Sequence, residues 1–152
     1  GVDLSILNSV HNSNNNRIKK IGDKIINKIN GGSLICFLGL SFKPNTDDIR
    51  ESTSIKIANY LYDNGYKINC YDPKAMDNTK NEFQNFNYFN NSYDACKNVD
   101  AIVIGTEWNE FRALNFDEIG NIVKRRKIFD LRNIYNQTEL EKKDFEYYAT
   151  GK

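Results

Sequence analysis

Leu34-Ile-Cys-Phe-Leu38 runs directly into Gly39-Leu-Ser-Phe-Lys-Pro-Asn-Thr-Asp-Asp-Ile-Arg-Glu-Ser-Thr-Ser54, and Ile55, Ala58 and Leu61 follow at helical spacing. The first run is an apolar strand, the second a long polar loop, the third a helix of which Ser52 or Ser54 can cap the start. In an open α/β sheet the ligand crevice lies at the carboxyl end of such strands. The loop brings Lys43 and Arg50 close to a helix N-terminus, whose free N–H groups and dipole favour anions. Two readings follow. Either the loop receives a phosphate-bearing ligand, or Asp47, Asp48 and Glu51 pair with its cations on a solvated surface.

Downstream, the chain alternates. Strand patterns are expected at Tyr66–Tyr71 and Ala101–Ile104, then Lys127–Leu131, with Phe145–Ala149 as a last edge strand. Helices are expected over Ser52–Tyr62, Ser92–Lys97 (with Ser92 as cap), Leu114–Val123 and Thr138–Lys142. Residues 74–91 are polar and aromatic and carry no clear period beyond a short strand near Phe86–Tyr88. The order is that of an α/β, Rossmann-like, doubly wound and mostly parallel sheet. No Gly-x-Gly-x-x-Gly follows the first strand, so an ordinary dinucleotide turn is absent and side chains must supply the phosphate grip.

Upstream, Leu4, Leu7, Val10, Ile18, Ile21, Ile25 and Ile29 recur at three-and-four spacing over residues 2–29. Asn12 to Asn16 are poor helix formers, yet the apolar positions on either side stay in phase, which favours one long helix over two. Gly31-Gly32 end it. The domain division is therefore 1–31 for a helix and 32–152 for the α/β domain. A long helix at the edge of a small domain needs a partner subunit or a further domain to cover its apolar stripe.

Composition excludes several classes. At 152 residues and net charge +1, the chain has no basic field for nucleic acid or anionic membrane. No apolar run is long enough to span a bilayer, and Gly1-Val-Asp-Leu4 does not open a signal peptide. Cys36, Cys70 and Cys96 are odd in number, and two of them sit in apolar runs; they read as buried hydrophobes of a reducing, cytoplasmic setting. His11 is the only histidine, and no cysteine pair has zinc-site spacing, so neither a metal site nor a Cys–His nucleophile is expected.

Parallel strands place three polar loops on one edge: Ser41–Ser52, Gly105-Thr-Glu-Trp-Asn-Glu-Phe111 and Asp130-Leu-Arg-Asn-Ile-Tyr135. Together they bring Lys43, Arg50, Arg132 and Asn133 toward one crevice suited to a diphosphate, which arginine binds bidentately. Each residue has a plainer role as well. Arg132 can pair with Asp130 or Glu107; Trp108 fits a packing anchor better than a base platform; Asp47-Asp48 fit loop supports better than catalysts. Tyr135 faces a ligand or covers the sheet edge.

At these residues the sequence resembles the UDP-glucose/GDP-mannose dehydrogenase family in its C-terminal domain. The resemblance rests on Gly39 to Ser54, Tyr71-Asp-Pro-Lys-Ala75, Thr106-Glu-Trp-Asn-Glu-Phe111 and Asp130-Leu-Arg-Asn-Ile-Tyr135, in that order. Phe145-Glu-Tyr-Tyr-Ala-Thr-Gly-Lys152 is similar to the family's terminal pattern, with departures. The second loop and the Arg-Asn segment resemble the UDP-glucose-oxidising branch more than its relatives. The resemblance implies an oxidoreductase that converts a sugar C6 alcohol to a carboxylate with two NAD⁺, working through a cysteine thiolate. It implies that Phe42, Lys43 and Arg132 bind the nucleotide sugar and that Arg50 reaches NAD. It also implies that residues 2–29 match the dimer helix and that Arg17, in Ser13-Asn-Asn-Asn-Arg17, reaches the substrate of a partner subunit. The Gly-rich NAD turn and the nucleophile segment are expected upstream of residue 1. No catalytic residue is therefore assigned within the chain, and alone it is expected to bind UDP or a UDP-sugar weakly without turnover. GDP-mannose, a UDP-N-acetyl sugar, or a non-catalytic nucleotide-binding module remain as alternatives.

Overall fold

The computed structural model describes residues 4–150. The expected first residues of the long helix and the terminal Gly151-Lys152 lie outside them. Helix α1 (Leu4–Ile29) is continuous through the asparagine run. It ends where Asn30 and Gly31 both adopt positive φ, the left-handed exit that closes many helices. Strand β1 (Leu34–Leu38) is followed by the long loop and by α2 (Thr53–Asp63). Next come β2 (Lys67–Tyr71), α3 (Met76–Glu82) and the two-residue β3 (Asn87–Tyr88). The remaining elements are α4 (Ser92–Cys96), β4 (Ala101–Ile104), the single turn α5 (Asn109–Arg112), α6 (Phe116–Ile122), β5 (Lys127–Asp130), α7 (Gln137–Glu141) and β6 (Glu146–Ala149).

Six strands form one sheet in the order β3-β2-β1-β4-β5-β6, and every pairing among the described residues is parallel. The order reverses between β1 and β4, so the crevice of a doubly wound sheet lies between their carboxyl ends. Alternate residues of each strand feed opposite cores. Ile35, Phe37, Ile68, Ala101 and Val103 pack under α1 and α2. Cys36, Leu38, Ile102, Ile104 and Ile128 pack under α4, α6 and α7. Burial on both faces is why β1 and β4 read as unbroken apolar runs rather than alternating ones.

Several expectations are corrected. The unreadable stretch holds α3, whose sequence Met-Asp-Asn-Thr-Lys-Asn-Glu has no apolar stripe; it is anchored at its start by Ala75 and by Thr79, which is buried. The cap of α4 is Asn91, not Ser92: its side chain accepts from Asp94 N–H, while Ser92 begins the helix and is buried. The helix expected from Leu114 starts at Phe116, because Asn115 accepts from the N–H groups of Asp117 and Glu118. Asn136 does the same for α7. Three asparagines thus set helix starts that apolar periodicity alone placed up to two residues away.

The second half of helix α1 packs against this domain. Ile25 and Ile29 are fully buried, and Ile18, Ile21 and Ile26 pack beside them. Gly22 faces the Tyr60 ring, whose hydroxyl donates to Asp23 at 2.5 Å. Earlier in the helix, Ile6 and Val10 are 62% and 55% exposed. No helix among the described residues is long and apolar enough to cross a membrane.

The junction of α1 with the sheet is fastened by Asp100. Its buried carboxylate accepts from the N–H groups of Ser33 and Leu34 at 2.8 and 3.0 Å. Arg125 donates to it at 3.1 Å and also to the carbonyl of Ile29, the last residue of α1. Burial acts to raise the Asp100 pKa, but these donors outweigh it and hold the carboxyl below its ordinary value. A carboxylate with a depressed native pKa adds stability that is present above the unfolded value near ~3.9 and is lost as pH falls through the folded one. Asp100→Asn should therefore lower stability at neutral pH, with the difference from wild type shrinking below about pH 4. Urea melts across pH 3–7 measure this; a pH-independent difference would contradict it.

Candidate functional site

The loop after β1 is built by backbone capture. Gly39 has φ +97°, and a Cβ there would lie 2.5 Å from Thr106 N. Gly105 is hemmed in by Ser54 and by the Gly39 carbonyl, which a Cβ would meet at 2.6 Å. Only glycine at both positions lets the exits of β1 and β4 approach this closely. Ser54 and Ser52 donate to the carbonyls of Gly39 and Leu40 at 2.6 and 2.7 Å, and Ser52 also accepts from Ile55 N–H as the cap of α2.

A buried carboxylate completes the arrangement. Asp72, 1% exposed at the end of β2, accepts from Leu40 and Ser41 N–H at 2.7 and 3.0 Å. Its other oxygen accepts from Lys74 and Ala75 N–H at 2.9 and 2.8 Å. The Trp108 indole donates to Asp72 and to Ser41 Oγ, both at 3.2 Å. Thr106 donates to the Ser41 carbonyl at 2.8 Å. The first and second loops are thus one unit, and Trp108 is a packing anchor. In the third loop the fully buried Asp130 plays a parallel part. It accepts from the N–H groups of Arg132, Ile134 and Tyr135 and from the Tyr147 hydroxyl. Tyr135 turns inward, donating to the Phe111 carbonyl at 2.5 Å and meeting Phe116 edge-on. It covers the sheet edge.

The cations separate into different places. Phe42 is 47% exposed, and Lys43 beside it is exposed as well. Arg50 is clamped by Asp48 through two bonds of 3.0 Å, yet its side chain stays 87% exposed. That clamp, with a smaller attraction from Lys43, draws the Asp48 carboxyl down to about 2. Arg50 lines a shallow depression with Asp47, Asn78 and Glu82. Arg132 donates to the Gly105 carbonyl at 3.0 Å and ion-pairs with Glu107 at 3.2 Å, the pairing weighed above as its plainer role. Asn133 turns away to Thr150. The residue that shares a cavity with Arg132 is Arg17 of α1, in a space of about 110 Å³ also lined by Thr53, Gly105 and Thr150. The three loops share an edge as expected, but Lys43, Arg50 and Arg132 do not line one pocket.

Sequence reasoning missed Asp72 and Asp130 as organisers, although both stand where an apolar strand turns into a polar loop. Asp72 directly follows a buried strand and Asp130 ends one, and an acid at that place is the available signal. The cysteines are free and buried, with Cys36 and Cys96 sulfurs 3.8 Å apart. Burial pushes the Cys36 and Cys70 thiols well up, away from thiolate chemistry.

Residues 36–137 match the model of the UDP-glucose/GDP-mannose dehydrogenase family, UDP binding domain. The chain belongs to this family. It is 42% identical over 142 residues to the UDP-glucose 6-dehydrogenase of Rhizobium meliloti (strain 1021), covering 91% of this chain and 32% of that protein. It is 42% identical over 155 residues to the UDP-glucose 6-dehydrogenase of Rickettsia prowazekii (strain Madrid E), covering 99% of this chain and 36% of that protein. The chain thus spans about a third of the length of these curated relatives. Its fold is that of a UDP-glucose dehydrogenase from the archaeon Pyrobaculum islandicum, with a TM-score of 0.71 at 24% identity over 89% of this chain and 29% of that one. The matched range includes the loops fastened by Asp72 and Asp130.

Asp72→Ala strands four backbone donors in a buried site. At roughly 1–3 kcal/mol for each buried group left unpaired, the loss should reach at least about 3 kcal/mol. Trp108, the only tryptophan, reports the urea melt directly. Asp72→Asn, which keeps an acceptor, should lose less; equal, small losses for both would refute the organising role.

Proposed function

We propose that this chain is the nucleotide-sugar-binding part of an NAD-dependent UDP-glucose 6-dehydrogenase, which oxidises the C6 alcohol of UDP-glucose to a carboxylate. The observation that carries the reading is the built carboxyl edge of the sheet. Two interlocked loops and a third share that edge, the first carrying the exposed Phe42 and Lys43 and the third carrying Arg132, in a domain matched by the family's UDP-binding model. The names of the relatives support UDP-glucose in particular.

In this reading Lys43 and Arg132 neutralise the diphosphate, and the exposed Phe42 packs on the bound ligand. The substrate is oriented by the backbone that Asp72 and Asp130 fix, so the loops do not pay a large ordering cost on binding. NAD⁺, when bound, supplies the hydride acceptor. The residues here fit only a peripheral part in holding it: Thr106 fills the space beside Gly39 where a dinucleotide turn would admit a pyrophosphate, and Arg50, 87% exposed, is the cation we assign to reach it. The hydride and acyl chemistry belongs to residues outside this chain, which we expect not to turn over by itself. The uncovered first half of α1, with Ile6 and Val10, is the surface through which two copies pair. The setting we propose with this reading is cytoplasmic.

Calorimetry with UDP tests the reading. Weak but saturable binding is expected, and Lys43→Ala should weaken it by about one to two decades, the worth of a charged hydrogen bond. Tighter binding of GDP than of UDP would point instead to a guanosine sugar. No heat at millimolar UDP, or NAD reduction by this chain alone with UDP-glucose, would contradict the proposal.

A further inference from the structure

The sequence contains two Asn-Gly pairs, Asn30-Gly31 and Asn64-Gly65. Each directly follows the last residue of a helix, α1 in one case and α2 in the other. All four residues are exposed. Asparagine before glycine carries a latent reaction with its own backbone. The glycine nitrogen attacks the asparagine side-chain amide, and glycine has no side chain to obstruct the approach. Composition and exposure do not separate the two pairs. Hydrogen bonding does.

At Asn64-Gly65 both reacting groups are engaged. The Asn64 side-chain amide donates to the Tyr60 carbonyl at 2.8 Å, and Gly65 N–H donates to the Tyr62 carbonyl at 3.0 Å. Tyr66 N–H then closes the turn on the Leu61 carbonyl at 3.1 Å. Bringing the nitrogen onto the amide carbon requires the peptide to rotate and these bonds to break. At Asn30-Gly31 neither group is held. The Asn30 side chain and the Gly31 N–H make no hydrogen bond with any described residue. Asn30 and Gly31 both sit at positive φ, +47° and +88°, so closure again requires rotation. Here the surroundings permit it, because a Cβ at Gly31 would meet nothing within 4 Å beyond its chain neighbours.

We propose that Asn30-Gly31 is a spontaneous modification site, at which Asn30 deamidates through a cyclic imide while the fold spares Asn64. The Gly31 nitrogen loses its proton to solvent base and bonds to the side-chain carbonyl carbon of Asn30. The C–N bond of the side-chain amide breaks, and its nitrogen leaves as ammonia. Water then adds to either carbonyl of the imide and opens the ring. One opening leaves aspartate; the other leaves isoaspartate, with the main chain routed through the side-chain carbons. Overall a water is consumed and an ammonia released, and nothing is oxidised or reduced. The inference is independent of the nucleotide-sugar reading.

The place gives the change a consequence. The carbonyl of Ile29, the preceding residue, accepts from Arg125, which also donates to Asp100. Ser33 and Leu34, just beyond, donate to the same carboxylate. A new carboxylate at the C-terminal end of α1 opposes the helix dipole, and the isoaspartyl form lengthens the backbone by a methylene group inside this junction. Either product weakens the seat of α1 on the sheet.

The test incubates the 152-residue chain at mildly alkaline pH, folded and in urea. Both Asn-Gly peptides are followed by mass spectrometry, with aspartate and isoaspartate separated by chromatographic retention. In urea, where neither pair keeps its hydrogen bonds, the two should deamidate at similar rates. In the folded chain Asn30 should react at least about tenfold faster than Asn64, the effect of breaking hydrogen bonds before attack. Equal rates in the folded chain, a faster Asn64, or an Asn30 that stays intact when folded would each overturn the site. A preference for Asn30 of the same size in urea would overturn it too, since flanking sequence rather than the fold would then set the rates. Asn30→Asp, and the isoaspartyl fraction isolated from aged protein, should unfold at lower urea than the fresh wild-type chain. Unchanged midpoints for both would overturn the effect on the junction.

Discussion

The buried carboxylate of Asp72 is the constraint on which the site depends. Five N–H donors from three segments converge on its two oxygens: Leu40 and Ser41 after β1, Lys74 and Ala75 after β2, and the Trp108 indole after β4. A buried carboxylate is costly unless it is fully hydrogen-bonded, and here its satisfaction is what brings the loops together. The same solution is repeated by Asp130 for the third loop and by Asp100 for the junction with α1. Three acids fasten three connections of the sheet, while the apolar cores on its two faces provide the bulk of the stability.

Tight capture of the backbone leaves the cations free to differ. Arg50 stands out into solvent on Asp48, Lys43 is exposed, and Arg132 is held back against Glu107. The edge is fixed in its backbone, and in the proposed function its cations would exchange protein carboxylates for ligand oxyanions. Surface ion pairs such as Arg50–Asp48 contribute little to stability, so exchanging them on binding is inexpensive. On the function proposed above, this division would let the domain grip and orient its ligand.

Much of the fold was legible because its signals are local. Unbroken apolar runs at Leu34–Leu38 and Ala101–Ile104 announced strands covered on both faces, and the in-phase isoleucines of α1 outweighed its asparagines. Helix α3 was not legible: Met76 to Glu82 offers no apolar stripe, and the helix is held by its contacts at Ala75 and Thr79. The helix starts at Asn91, Asn115 and Asn136 were displaced because asparagine capping overrides the apolar period. In the site, the loops and their shared edge could be read from the strand order. What could not be read is which charges meet, since that depends on the angle at which α1 crosses the sheet. Arg17 and Arg132 are 115 positions apart in sequence and adjoin one cavity only because Ile25 and Ile29 are buried where they are.

The most direct test of the account is an amide chemical-shift titration of the isotopically labelled chain with UDP. The perturbed residues should cluster at the carboxyl edge of the sheet, in Gly39–Arg50, Gly105–Phe111 and Asp130–Tyr135, together with the α1 turn around Arg17. Perturbations confined to the opposite edge of the sheet, or to the exposed first half of α1, would contradict it.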